Sequence, residues 1–329
     1  MPQPLKNEEL LRDRYKIRER IGQGGTGSIY LADDTRLEGR LCALKEVEYD
    51  RVLPPNVLEQ AREQFFREAS VLARLDHPNL PKVSDFFTHN ERDYLVMDYV
   101  PGKDLRERML EARRDKTFLP ESEVLHWAVQ LADALHYLHH QDPPIIHRDI
   151  KPSNLKLTPS GLLKLVDFGL VKIMAPDEVT ITVIQGQGTA LYTPLEQYGG
   201  DDSHTDPRAD IFSFGATLYH LLTNEPPAEA RKRFLDTRNL APPREINPNI
   251  SARVERAVLW AMSLHPDNRP KNVAEFRDAL LGRQDVPSPH DMNRASFDIP
   301  NLTLFPQEQI ATYVAAGLFL IGLLATIAS

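Results

Sequence analysis

The chain has 329 residues, 41% hydrophobic and 26% charged, with a net charge of −8 and a pI near 5.8. That balance belongs to a folded chain with a sizeable core and excludes disorder as its ground state. It supplies no basic surface for phosphate backbones, which excludes nucleic acid as a partner class, and short basic groups such as Arg12 to Arg20 and Arg231 to Arg233 read as solvated helix faces.

Taken from the N-terminus, MPQPLKNEELLRDRYK is too polar for a signal peptide, and residues 1–14 are expected to form an N-terminal extension. IGQGGTGSIYLA follows, with Gly22, Gly24 and Gly27 in the spacing G-x-G-x-x-G and Gly25 beside them. A dinucleotide turn would run into a helix, whereas SIYLAD alternates as a strand. The glycine loop is therefore expected between two strands, where its backbone can come down onto phosphates. LCALKEV and YLVMDYV read as further strands, and LEQAREQFFREASVLARL, residues 58–75, as a helix. The single cysteine, Cys42, excludes an intrachain disulfide and reads as a small buried side chain.

From Leu105 the signals turn helical. Val124, Trp127, Leu131, Leu135 and Leu138 recur at helical spacing within residues 121–140, and a second apolar helix covers about 209–222. His136, His139 and His140 form a candidate metal face, with His136 and His140 four apart, but a helix end accounts for them as well and no third ligand is apparent. A strand-rich front and a helix-rich back predict two lobes with a cleft between them. Residues 283–308 hold Pro287, Pro289, Pro300 and Pro306 and read as a linker. Residues 309–329 carry no charge and offer the roughly 20 apolar residues that span a bilayer core, so a single transmembrane helix is expected there.

The densest polar stretch is IIHRDIKPSNLKL, residues 145–157, set between apolar runs that read as buried strand. Asp149 is placed to accept a proton from a hydroxyl and Lys151 to neutralise a transferring phosphoryl group, while Asn154 and Asp167, the latter in LVDFG, offer hard oxygen ligands of the kind Mg2+ prefers. Lys45, on an otherwise apolar strand, must meet an anion or reach water, and Glu68 on the helix of the front half is the expected partner.

In order, the glycine loop, CALK, HRDIKPSN, DFG, TPLE, DIFSFG and HPDNRP resemble the motif set of the eukaryotic-type serine/threonine protein kinases common in bacteria, over about residues 15–282. The resemblance implies an α+β, bilobal fold: a small β-rich lobe with one helix (about 15–100), a large α-helical lobe (about 101–282), and here a linker and C-terminal transmembrane helix besides. It implies ATP held under Ile21, Gly22, Gly24, Gly25, Gly27 and Ile29, with adenine between Ala43 and Leu155, Met97 behind it, and Asp98 to Val100 as the hinge. Lys45, paired with Glu68, would hold the phosphates, and Asn154 and Asp167 would bind Mg2+ or Mn2+. Asp149 and Lys151 are the implied catalytic pair, joined by Thr189. Glu196 would pair with Arg269, and Asp210 would hold the catalytic loop. Ala-Pro-Glu survives only as Thr193-Pro194-Leu195-Glu196, which bears on substrate docking and not on the chemistry.

The same resemblance makes Arg148 a receiver for phosphate on the activation loop, where Thr180 and Thr182 are the expected autophosphorylation sites, a reaction that a homodimer would serve. The implied activity is transfer of the γ-phosphate of ATP to Ser or Thr hydroxyls of protein substrates, with the kinase domain on the cytoplasmic side of the cell membrane. The alternative is a membrane-tethered pseudokinase that binds nucleotide or a partner without transferring phosphate. The two part at Lys45, Asp149, Asn154 and Asp167, all of which are present.

Overall fold

A computed structural model describes residues 4–24, 27–47, 49, 54–167, 172–173, 190–198 and 206–287. The chain divides into two compact units, Met1–Pro287 and Ser288–Ser329, and every described residue belongs to the first. Among the described residues no helix is long and apolar enough to cross a membrane. The expected anchor, 309–329, lies outside them.

In the small lobe, β1 (Leu10–Leu11), β2 (Tyr15–Gly24), β3 (Gly27–Asp34), β4 (Leu41–Val47), β5 (Val83–His89) and β6 (Arg92–Asp98) form one sheet in the order β1-β2-β3-β4-β6-β5, every pairing antiparallel. Helix α1 (Pro55–Leu72) is inserted between β4 and β5. It begins three residues earlier than its apolar pattern suggested because Pro55 occupies the first helical position, where a missing N–H costs nothing. The period-2 alternation of β4 sorts its side chains. Cys42 and Leu44 enter a buried cluster with Tyr15, Ile17, Tyr30, Phe87, Tyr94 and Val96, and Ala43 and Lys45 take the opposite face.

Residues 4–14 are more than an appendage. Leu11 is fully buried in that cluster, Leu5 packs against it, and Leu10 and Leu11 pair with Lys16 and Tyr15. The segment covers an aromatic face of the sheet that water would otherwise meet.

The large lobe contains α2 (Leu105–Arg114), α3 (Glu121–His139), the short strands β7 (Ile145–Ile146), β8 (Leu155–Leu157), β9 (Leu163–Leu165) and β10 (Lys172–Ile173), then α4 (Arg208–Thr223), α5 (Ala230–Leu235), α6 (Pro243–Ile246), α7 (Ala252–Ala261) and α8 (Val273–Leu280). β8 pairs with β9, and β7 with β10. Helix α4 is apolar almost all round and buried along nearly its whole length, as a central core helix must be. Gly215 permits its close approach to α7, since a Cβ there would lie 2.8 Å from that of Ala261. α3, α7 and α8 pack about this axis, and α4 in turn carries the catalytic loop.

Candidate active site

Lys45 reaches the cleft because β4 places it between Ile29 of β3 and Leu95 of β6 on the face opposite the aromatic cluster. Gly22 pairs with Ile29, Ile29 with Lys45 and Lys45 with Leu95, so one row of backbone pairings aligns the glycine strand with the lysine, and Ala43 pairs with Met97 two residues along. Ala43, Met97, Val100 and Leu155 are all buried, while Ile21 is 43% exposed at the rim. Gly25 lies outside the described residues.

The ammonium of Lys45, itself 3% exposed, forms its ion pair with Asp167 Oδ1 and not with Glu68 as expected. Glu68 stands on α1 and accepts from Gln64 Nε2 at 3.0 Å. The physical reason is positional. Asp167 is fixed by the strand before it and by a left-handed backbone at φ 69°, which turns its carboxylate toward the lysine, whereas Glu68 depends on the longer reach of a helical side chain. Burial alone would raise the Asp167 carboxyl, but the charge of Lys45 and its hydrogen bond outweigh that and hold it below the usual carboxylate range.

The catalytic loop hangs from a buried carboxylate. Asp210, at the start of α4, is fully buried. Its Oδ2 accepts from His147 N at 2.9 Å, and its Oδ1 accepts from Arg148 N at 2.8 Å. His139 Nε2 lies 2.8 Å from Oδ2. Burial opposes the charge on Asp210, yet the bond with His139 and that residue's charge, with His147, keep its carboxyl below the usual range. These bonds clamp Arg148 at φ 68°, a left-handed conformation that costs about 1–3 kcal/mol away from glycine and persists only where neighbours enforce it. His147 is buried, and that burial pushes its ring pKa down. His139 was missed as a site residue, since in sequence it is one of several histidines at a helix end. Only the fold brings it to Asp210.

Asp149 is 6% exposed and receives two donors on one oxygen: Lys151 Nζ at 2.8 Å and Asn154 Nδ2 at 2.9 Å, both to Oδ2. Asn154 Nδ2 also donates to the Asp149 carbonyl at 2.8 Å. Oδ1 of Asp149 is buried with no hydrogen-bond partner. Because the amide nitrogen of Asn154 is engaged, its carbonyl oxygen is left as the coordinating atom. Val166 N donates to Asn154 O at 2.8 Å, which ties this residue to the strand that carries Asp167. The hard oxygens of Asn154, at the end of the turn Pro152–Asn154, and of Asp167, just beyond β9, fit a divalent cation flanked by phosphates and water, the manner in which Mg2+ is commonly held. Among the described residues no group of three His, Cys, Asp or Glu forms a metal cluster, so the His136–His140 pair has no third ligand here either.

Beyond the loop, Arg269 Nη1 and Nη2 donate to Glu196 Oε1 and Oε2 at 2.6 and 3.0 Å, a bidentate pair whose arginine side chain is fully buried. It joins the segment Ala190–Tyr198 to the core of the large lobe. Thr180, Thr182 and Thr189 lie outside the described residues.

The fold and site together are those of a two-lobed phosphoryl-transfer enzyme: a glycine loop and lysine above, a carboxylate base and metal-binding oxygens below. Comparison with known proteins gives the family. The model for the family described as Protein kinase domain matches residues 15–280. A probable serine/threonine-protein kinase of Clostridium acetobutylicum is 34% identical over 279 residues, 82% of this chain and 40% of its own length. One from Streptomyces coelicolor is 36% identical over 297 residues, covering 86% and 42%. Among solved structures, the Mycobacterium tuberculosis PknI kinase domain superposes with a TM-score of 0.63 at 28% identity, covering 85% of this chain and all of that one. The chain belongs to the protein kinase family. It spans less than half the length of these curated relatives.

Proposed function

We propose that this chain is an ATP-dependent serine/threonine protein kinase. The carrying observation is the Asp149 carboxylate, with one oxygen held by Lys151 and Asn154 and the other buried without a partner. A buried acceptor left open is costly unless a substrate group fills it, and a serine or threonine hydroxyl is the donor that does. Asp149 then orients that hydroxyl and takes its proton as the oxygen attacks phosphorus, while Lys151 balances charge beside it. Lys45 and the glycine strand would hold the nucleotide phosphates, and Asn154 and Asp167 the Mg2+ or Mn2+ that neutralises them. In this reading Lys45 exchanges its bond with Asp167 for one with phosphate and Glu68 when nucleotide enters.

Further parts of the reading rest on sequence. Residues 309–329 would anchor the chain in the membrane with the kinase domain on the ATP-containing side, supported by their lack of charge. Thr180 and Thr182 would be autophosphorylated in trans, the phosphate meeting Arg148. The test is transfer of labelled γ-phosphate from Mg-ATP by the purified full chain to itself and to Ser- or Thr-containing proteins. Asp149→Asn should lower transfer by about 10² to 10⁴ and leave nucleotide binding in place. Nucleotide binding without transfer in the unaltered chain would favour the pseudokinase.

A further inference from the structure

The apolar helix α4 carries Asp210, Ser213, Thr217 and His220 at successive spacings of three, four and three residues, which sets them on one side of it. Each reaches out of the helix. Asp210 accepts from the amides of His147 and Arg148, and Thr217 Oγ1 donates to the carbonyl of Ile150 at 3.2 Å. Ser213 Oγ donates to the carbonyl of Tyr192 at 2.8 Å, and His220 Nδ1 lies 2.6 Å from the Tyr192 hydroxyl. One face of α4 therefore supports both the catalytic loop and the turn Ala190–Tyr192.

Thr217 is the member of this row that the helix itself does not require. A serine or threonine inside a helix can turn its hydroxyl back to the carbonyl four residues earlier. Ser213 does so to Ala209 at 3.2 Å and Thr223 to Tyr219 at 2.7 Å. Thr217 is fully buried and, among the described residues, its hydroxyl bonds Ile150 O alone. Valine has nearly the same shape and no hydroxyl to satisfy, so packing in an apolar helix does not call for threonine here.

Ile150 is fully buried between Asp149 and Lys151, and among the described residues no other donor reaches its carbonyl. Asp210 holds the backbone before Asp149 and Thr217 holds it after, both from one helix. Lys151 and Asn154 fix Oδ2 of the Asp149 carboxylate, which leaves the direction of the open Oδ1 to the backbone that carries it.

We infer that Thr217 is a positioning residue for phosphoryl transfer: its hydroxyl, acting through the Ile150 carbonyl, sets where Oδ1 of Asp149 points. The inference deepens the kinase reading and rests on it. Thr217 acts from inside the core of the large lobe, so its loss should slow the transfer step and leave nucleotide binding, assigned to Lys45 and the glycine strand, as it was.

The experiment uses the full chain with Mg-ATP and compares Thr217→Val, which keeps the shape, with Thr217→Ser, which keeps the hydroxyl. Labelled phosphate transferred to the chain itself and to casein is followed against ATP concentration, with thermal melts on the same samples. Thr217→Val should lower the maximal rate by about 10- to 100-fold with KM for ATP unchanged. Thr217→Ser should restore that rate although it lacks a buried methyl group. A Thr217→Val rate equal to that of the unaltered chain, or rates that follow the melting temperatures and not the hydroxyl, overturn the inference and leave the kinase reading intact. Should Thr217→Val not fold, Thr217→Ala against Thr217→Ser makes the same comparison and is read in the same way. Absence of transfer by the unaltered chain overturns the kinase reading. Amide hydrogen exchange of residues 145–152 then decides the inference separately: exchange that speeds up in Thr217→Val and not in Thr217→Ser supports it, and equal exchange overturns it.

Discussion

At the scale of single residues, three ion pairs organise the site: Lys45 with Asp167, Asp149 with Lys151, and Arg269 with Glu196. The last pair is the most enclosed, with Arg269 also donating to the carbonyls of Ser263 at 2.8 Å and Leu264 at 2.9 Å. Removing one partner of such a pair strands a buried charge, which typically costs about 3–5 kcal/mol. Glu196→Ala is therefore expected to lower the stability of the folded chain by an amount toward the lower end of that range, because backbone acceptors remain. Urea unfolding monitored by Trp127 and Trp260 measures it. A change below about 0.5 kcal/mol would show that the carbonyls alone satisfy the guanidinium.

At the scale of elements, the small lobe depends on a segment that lies before the family's own domain boundary. The match to the family begins at residue 15, yet β1 contributes a fully buried Leu11, and Tyr30 OH accepts from Leu5 N at 3.2 Å. Leu11→Ala removes a buried side chain from beside Tyr15, Tyr30 and Phe87 and should cost about 2–5 kcal/mol, depending on how far the aromatic cluster collapses. The small lobe should report it first, as a lower unfolding midpoint together with weaker nucleotide binding by calorimetry. An unchanged midpoint would mean that residues 4–14 are dispensable. The glycine strand, LCALKEV, YLVMDYV and the three long helices were legible because each has a clean period or a long apolar face. Strand β5 was not, since VSDFFTH mixes its faces.

At the scale of the whole molecule, His220, His147, Asp167 and Asp210 act in one direction. His220 takes no proton in the folded chain until about pH 4, and burial depresses His147 as well. In the unfolded chain both rings protonate near pH 6.5. Protons therefore favour the unfolded state between those values, and stability present at neutral pH is lost as pH falls through that window. Asp167 and Asp210, held below their ordinary range, add stability that is present above roughly pH 4 and lost below it. Thermal melts at pH 7 and pH 5 should show a lower Tm at pH 5, and His220→Gln should narrow the difference. A difference that His220→Gln leaves untouched would assign the acid sensitivity to other groups.

The sequence by itself determined the family and the two-lobed architecture, because short motifs at close spacings along the chain carry both. Asp149, Lys151 and Asn154 lie within six residues of one another, and their mutual bonds follow from that closeness. Tertiary structure alone decided what depends on distant segments meeting. It chose Asp167 over Glu68 as the partner of Lys45, recruited His139 to Asp210 across 71 residues, and folded residues 4–14 into the small lobe. No local period or motif encodes such contacts, because each depends on where two elements pack and on which neighbour then lies nearest in a low-dielectric interior.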